Sequence, residues 1–522
     1  MEDNGLKSFK CHKFSWLAEW LILAAVFVHY VYFMNKYMDQ YLYYDYSAEL
    51  VAGNILAKEG GMIPKDWFFS TELRVWNVPQ VFALFFRFSE DWHFVRLMGC
   101  VFFMILLILS VIFLAYQMEI KEYAPSMATC FALPFSLEYF DYVLNGLYYM
   151  PHIITALFTL GLILFADKKK ETKNRIILSA VLGILAFFTG LGGMRMLLLL
   201  YIPMVFAACT YHIRYDDGGV KGNWLLVGSI LSLIFSAIGA IMNNRLHSVY
   251  VFEKDSINFI EVDIQKLSKI IQGIMRCFGY TNGSLSFFSI SRNALCGSVI
   301  ILAIVAFIVL LKRGGKSRGE CLYLLYALYS FIVLFIFTLF TDINASPRYF
   351  LPVVIFWIPL LFLFFKNHQK NTQLKIVYGL LIVLFVVNVY HIFVLYRYKN
   401  DTEYLVETAD WLKKEGYEEG IASFKYANTI IELSNGTIDV WALSLDQTDD
   451  PLELSQWLQP RSHMEEKPKG RIFVVFSKRL DEEENCILKY EISDQPIFQN
   501  EKFIVYGYRD ILELEEKYSG KW

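Results

Sequence analysis

The chain has 522 residues, of which 56% are hydrophobic and only 19% charged, with a mean hydropathy of +0.39. Soluble domains run at about 45–50% apolar and ~25% charged, so a disordered chain, a fibrous one and an ordinary soluble globular enzyme are excluded in favour of an integral membrane protein. The net charge of −3 conceals two unlike parts: from Arg397 onward 16 Lys and Arg stand against 26 Asp and Glu, net −10, while the preceding part carries 32 and 25, net +7. This predicts a basic membrane domain over residues 1–396 and an acidic soluble domain over 397–522.

A bilayer crossing needs about 20 apolar residues. Eleven runs approach that length: Ser15–Met34, Phe94–Tyr116, Ala124–Leu144, Met150–Ala166, Ile176–Thr189, Met196–Thr210, Trp224–Met242, Leu295–Leu311, Cys321–Phe340, Tyr349–Phe365 and Ile376–Tyr396. Short loops rich in Lys and Arg resist translocation and mark the cytoplasmic side. Lys7, Lys10 and Lys13, then Lys168–Lys170 with Lys173 and Arg175, then Lys312, Arg313, Lys316 and Arg318, then Lys366, Lys370 and Lys375 all fall in alternate connections. The N-terminus is therefore expected inside, and eleven crossings place the acidic tail outside. The first run is span-length and lacks a small-residue cleavage site, so it is expected to remain as a helix. The eight cysteines show neither a C-x-x-C pair nor a metal-ligand spacing; Cys277, Cys296 and Cys486 fall near or beyond the outer face, as solitary thiols or as disulfide partners.

Three segments are too long to be connectors: the loops over about 35–93 and 243–294, and the tail. The first loop begins with Asp39 and continues through Asp45 and Glu49 into Leu50–Gly61. Ala48, Val51, Ala52, Ile55 and Leu56 share a face at helical spacing and Gly60-Gly61 is a stop, predicting a short amphipathic helix lying on the membrane. Asp45 at its beginning either caps the helix, with Glu49 complementing its dipole, or is held there for chemistry. Further on come Glu72 and the Phe94-Val-Arg-Leu97 start of the second span. At the outer end of the third span stand Glu138 and Asp141, beside Tyr139, Tyr142, Tyr148 and Tyr149; they are either interfacial anchors or site acids.

The turn Thr189–Arg195 holds three glycines between two spans, a tight connection or a phosphate cradle, and Arg195 is retained as a site candidate. In the second loop Ile260, Ile264, Leu267, Ile270, Ile271, Ile274, Met275 and Phe278 line one face of an interfacial helix. Before the tenth span, Arg348-Tyr349 with Pro352 offers a guanidinium that can grip phosphate oxygens bidentately, or an Arg anchored in the headgroups. In the tail, helices over Glu403–Lys414 and Tyr426–Leu433 alternate with strands at Gly420–Phe424, Thr437–Leu443, Arg471–Phe476 and Phe503–Tyr508, a small α/β domain. The run Asp481–Glu484 reads as a solvated turn rather than a metal site.

Asp45, the stretch Ala52-Gly-Asn-Ile-Leu56, Phe94–Leu97, the acids at the end of the third span and Arg348-Tyr349 with Pro352 together resemble the GT-C superfamily of membrane glycosyltransferases, in particular bacterial relatives of protein O-mannosyltransferase and the lipid A aminoarabinose transferase. The usual tandem Asp-Glu of that family is replaced here by Asp45-Tyr46, and the Lys-Pro-Pro element that some members carry near here is absent. The resemblance implies a GT-C-like helical membrane domain in a bacterial cell membrane. It further implies transfer of a sugar from a polyprenyl-phosphate donor to a glycan, lipid or protein acceptor on the outer face, with inversion. In that scheme Asp45 is the base, Asp141 a second catalytic acid, Arg348 and Arg195 bind donor phosphate, and Glu49, Glu72, Glu138 and Tyr349 contact substrate. A divalent metal is left open, since some relatives use one and others do not; no nucleic acid is expected as a partner. The competing classes are a transporter or lipid flippase, which needs polar groups at mid-membrane where this sequence offers few beyond Asn388 and His391, and a non-catalytic membrane sensor.

Overall fold

A computed structural model describes residues 2–71, 73, 75, 77–169, 171–215, 224–252, 257–283, 285–313, 317–368, 371–444, 453–478 and 494–517. Ten of the eleven apolar runs form helical stretches long and apolar enough to cross a membrane, which makes the chain a multi-pass helical membrane protein. In chain order the helices are α1 (Glu2–Tyr37), α2 (Tyr44–Glu59), α3 (Val78–Phe86), α4 (Trp92–Gln117), α5 (Ala124–Ala132), α6 (Met150–Lys168), α7 (Thr172–Leu191), α8 (Ile202–Tyr215), α9 (Trp224–Leu246), α10 (Ile264–Cys277), α11 (Phe287–Arg313), α12 (Arg318–Phe340), α13 (Leu351–Phe356), α14 (Ile358–His368) and α15 (Thr372–Tyr398).

The Ala124–Leu144 run is divided. Helix α5 ends at Ala132, Leu133 is extended and Pro134 follows. Proline clashes with a helical residue before it and has no N–H to give, so the helix stops there. The chain resumes at Ser136, whose hydroxyl accepts from Tyr139 N, and closes in a wide π-type turn over Phe140–Asn145.

By contact the chain falls into two units. The first comprises Met1–Tyr32, Cys100–Asn244 and Asp255–Leu395 and holds most of the membrane helices. Within it α12 runs along α8, and Tyr326 and Ser330 donate to Leu199 O, a carbonyl of the π-type stretch Leu197–Tyr201 that precedes α8. Helices α7 and α9 cross in near backbone contact: a Cβ on Gly190 would lie 2.1 Å from Ser236 O, and one on Gly239 would lie 2.2 Å from Phe187 O. Small residues are what permit such an approach where lipid removes any hydrophobic drive to pair helices. Cys277 and Cys296 are free thiols; Cys277 donates to Pro347 O at 2.9 Å.

The second unit comprises Phe33–Gly99, Arg245–Lys254 and Tyr396–Trp522. The first long loop and the tail pack together here. Strands β1 (Phe68–Phe69) and β2 (Val251–Phe252) pair in parallel. In the tail, β3 (Glu419–Ser423), β4 (Asp439–Leu443), β5 (Ile472–Ser477), β6 (Phe498–Gln499) and β7 (Phe503–Tyr508) form one mixed sheet in the order β4-β3-β5-β7-β6, with helices α16 (Glu403–Lys414), α17 (Phe424–Leu433) and α18 (Ile511–Lys517). Every residue of the central strand β5 is buried, as expected of a strand covered on both faces. The tail is thus the small α/β domain read from its sequence. Asp481–Glu484 and Cys486 lie outside the described residues.

The prediction that α2 lies on a membrane surface is corrected. Tyr46 through Gly53 and Leu56 are buried, so burial passes right round the helix. The cause is tertiary: α2 is held between α3 and α17, and at Gly53 a Cβ would lie 2.6 Å from Phe82 Cβ.

Candidate functional site

In the loop unit, extended Tyr43 occupies the cap position of α2 without a side-chain cap bond, and Asp45 is the second helical residue rather than the cap. A carboxylate in the first helical turn is favoured by the partial positive charge of the exposed N–H groups. Asp45 is half-buried and Glu49, one turn on, is buried. Their surroundings are aromatic: the Tyr43 and Tyr44 rings are 3.9 Å apart, and Tyr44 meets Phe424 at 5.0 Å.

The N-terminal turn of α2 is fixed by Arg96. This residue, at 2% exposure, donates from Nη2 to Tyr46 O at 3.1 Å and grips Glu432 of α17 with two further bonds. The Arg of the Phe94–Leu97 motif is therefore a structural tie that sets the position of the Asp45-bearing turn. Nearby, the His93 ring meets the Asp39 carboxylate at 2.6 Å, and Thr402 donates to Asp39 O. Glu72 lies outside the described residues.

In the membrane unit, Arg195 and Arg348 converge on one tyrosine. The Arg195 guanidinium lies 5.2 Å from the Tyr149 ring centre and 5.8 Å from that of Tyr148; Arg348 lies 5.5 Å from Tyr349 and 6.0 Å from Tyr142, and its charge also acts on Tyr149. Local backbone geometry builds this cluster. The π-type turn carries Tyr142, and Leu147 adopts φ +57°, a left-handed conformation rare for a branched residue, immediately before Tyr148 and Tyr149. Tyr149 is 1% exposed and its hydroxyl has no hydrogen-bond partner among the described residues. Burial pushes its phenol well above the usual value, with Arg195 and Arg348 drawing it partly back, so it stays a proton-bearing donor at neutral pH.

Glu138 pairs with Arg276 of α10 at 2.5 Å, while Asp141 sits on the next turn, half-buried. Helix α10 in turn packs on the Pro347–Phe350 turn that presents Arg348: Gly273 faces Ala345 and Pro347, and Lys266 donates to Thr341 O. The amphipathic helix read from the second loop is thus the support of the Arg348 turn. Arg195, Arg348 and Tyr349 share one cluster and Glu138 and Asp141 lie on successive turns, all in the membrane unit; Asp45 and Glu49 belong to the loop unit. Tyr148 and Tyr149 read in sequence as members of an aromatic belt, and no spacing tied them to two arginines that lie far off in the chain. Among the described residues no three His, Cys, Asp or Glu side chains lie close enough to hold a metal ion.

No protein-family model matches the chain, and no curated protein does. Among solved structures it is similar to the oligosaccharyltransferase of Archaeoglobus fulgidus. For the crystal structure tethered through a disulfide to an acceptor peptide with the NVT sequon, identity is 12% and the TM-score 0.47, covering 90% of this chain and 70% of that one. The complex with Zn and sulfate gives 12% and 0.48 over 86% and 67%; the apo form gives 13% and 0.45 over 80% and 64%. At these identities and scores the similarity assigns neither substrate nor site residues.

Proposed function

We propose that this protein is a GT-C-type glycosyltransferase that moves a sugar from a polyprenyl-phosphate donor to an acceptor at the outer face of the cytoplasmic membrane. The observation that carries the reading is the pair of arginines about Tyr149. Two guanidiniums and an unbonded phenol hydroxyl make a donor-rich site at helix ends, matched to the oxygens of a phosphate whose prenyl tail stays in lipid. As the sugar leaves, negative charge grows on that phosphate, and fixed donors aimed at it lower the barrier. Asp45 is assigned the proton of the acceptor hydroxyl, and attack from the face opposite the phosphate inverts the anomeric carbon. Asp141 is proposed as a second catalytic acid, and Glu49, Glu72, Glu138 and Tyr349 as substrate contacts.

Loop charge supports the sidedness: the basic connections at Lys168–Arg175, Lys312–Arg318 and Lys366–Lys375 alternate along the chain with the first loop, the second loop and the tail, as the positive-inside rule asks of eleven crossings.

The test is transfer of radiolabelled sugar from a polyprenyl-phosphate donor in vesicles containing the full chain. Transfer by the wild type and its loss in Arg348→Gln is the expected result. Undiminished transfer by Arg348→Gln, or none from any polyprenyl-phosphate sugar, overturns the reading.

A further inference from the structure

A second basic site lies between α11 and α15. These two helices run antiparallel, in a register marked by two contacts: the Phe288 and His391 rings stack at 4.0 Å, and Ser291 Oγ donates to Asn388 Oδ1 at 3.4 Å. Asn388 is fully buried and anchors itself to Leu384 O. Above them the loop after α10 is clamped to α11 by reciprocal bonds, Thr281 N to Asn293 Oδ1 and Asn293 Nδ2 to Thr281 O. Arg292 sits inside this frame at 8% exposure, and its charge reaches the His391 ring.

The guanidinium has no protein acceptor for its buried Nε and Nη1 among the described residues, and His391 Nδ1 is equally without one. Neither lack can be relieved by losing a proton from the arginine, which stays charged in proteins. A buried cation without a counter-charge is among the most unfavourable arrangements in a protein, and in a membrane helix it marks a function. A guanidinium in this setting is matched by an anion with several acceptor oxygens.

Position narrows the class of that anion. Arg292 lies five residues inside α11, about 7–8 Å along the axis at 1.5 Å per residue, which is headgroup to upper acyl depth. Ile290, Val386 and Tyr390, which flank the cluster on the same two helices, are more than half exposed, an apolar surface for lipid tails. We infer that Arg292 and His391 form a binding site for the phosphate headgroup of a membrane lipid, seated between α11 and α15 with its chains along Ile290 and Val386. The inference stands apart from the transfer reaction proposed above, and none of its residues belongs to the arginine–tyrosine cluster.

The test uses the full chain, delipidated in neutral detergent and titrated with short-chain phosphatidylglycerol, with a short-chain polyprenyl monophosphate, and with the matching diacylglycerol and polyprenol that lack phosphate. Tryptophan fluorescence gives the affinity and the thermal midpoint gives the stabilisation on binding. Polyprenyl monophosphate is titrated in an Arg348→Gln background, so that the other cluster does not contribute. Binding that requires the phosphate, and falls at least tenfold in Arg292→Gln with loss of the lipid-dependent rise in midpoint, is expected. A preference for the prenyl compound identifies a donor-type lipid and equal binding a bulk phospholipid; both uphold the headgroup site. If Arg292→Gln does not fold, His391→Phe serves, with at least threefold weakening expected. Unchanged affinity in the folded variant, or binding of the phosphate-free lipids equal to that of the phosphorylated ones, overturns the inference.

Discussion

Arg96 and Glu432, 336 positions apart, form a two-pronged ion pair: Nε to Oε1 at 2.5 Å and Nη2 to Oε2 at 2.6 Å, with side chains 2% and 5% exposed. The same Nη2 holds Tyr46 O in the first turn of α2. One buried guanidinium thus joins the start of α4, the helix bearing Asp45 and a helix of the tail. Removing one partner strands the other charge, which costs about 3–5 kcal/mol, whereas exchanging both for apolar side chains costs far less. Arg96→Met and Glu432→Leu are each expected to destabilise the protein strongly, and the double variant to recover most of the loss. A double-mutant cycle in denaturant checks this, and additive losses would refute the coupling.

Asp45→Asn keeps size and helix register while removing the base. A positioned general base contributes about 10²–10⁴-fold, so transfer is expected to fall by that range with folding and donor binding unchanged. Near-normal transfer would remove Asp45 from the reaction.

Arg348→Lys retains the charge but not the planar fork that grips two oxygens. The expected result is a donor KM raised at least tenfold with a smaller change in kcat. Tyr149→Phe removes the unbonded hydroxyl and is expected to raise the same KM severalfold with no loss of stability, because no partner among the described residues is left behind. Steady-state kinetics against donor concentration separate the two effects.

Gly239 lies where any side chain meets the backbone of α7. Gly239→Ala is expected to force the two helices apart and lower stability by about 1–3 kcal/mol, while Gly228→Ala on the same helix, with open space at its Cβ position, is expected to be neutral. Thermal unfolding in detergent compares them.

Asn258 donates from its backbone N and from Nδ2 to the carboxylate of Asp342, and these bonds hold that carboxyl below its usual value. A depressed folded-state value means that the contribution is complete above the ordinary carboxylate range, near pH 4, and is lost as pH falls through the lowered one. Protection of the Ile260 and Asp342 amides, which pair with Phe340 O and Asn258 O, is therefore expected to hold from pH 8 to 5 and to fail in stronger acid. Hydrogen exchange corrected for intrinsic rate measures it, and Asp342→Asn should abolish the pH dependence.

Much of this architecture was legible in the sequence because the signals are local. Membrane helices announce themselves by length and hydropathy, and the tail strands and helices by short apolar runs between turns, so ten spans and the α/β tail lie where their residues indicate. Where the reading stopped short, a non-local or a boundary effect decided. Helix α11 begins at Phe287 rather than Leu295, which moves Arg292 from a loop into a membrane helix. The apolar face of α2 suggested a membrane surface, but α3 and α17 supply that cover from distant parts of the chain.

The sequence by itself determined a polytopic membrane body, an acidic α/β tail and the candidate acids and arginines, since hydropathy, charge and turn chemistry are properties of neighbouring residues. Only the tertiary structure decided that the first loop and the tail form one unit tied by Arg96 and Glu432, that Arg195 and Arg348 meet at Tyr149, and that Arg292 is buried with no partner for its Nε and Nη1 among the described residues. The reason is physical: the pairing of buried charges is set by packing between residues remote in the chain, on which local sequence pattern has no bearing.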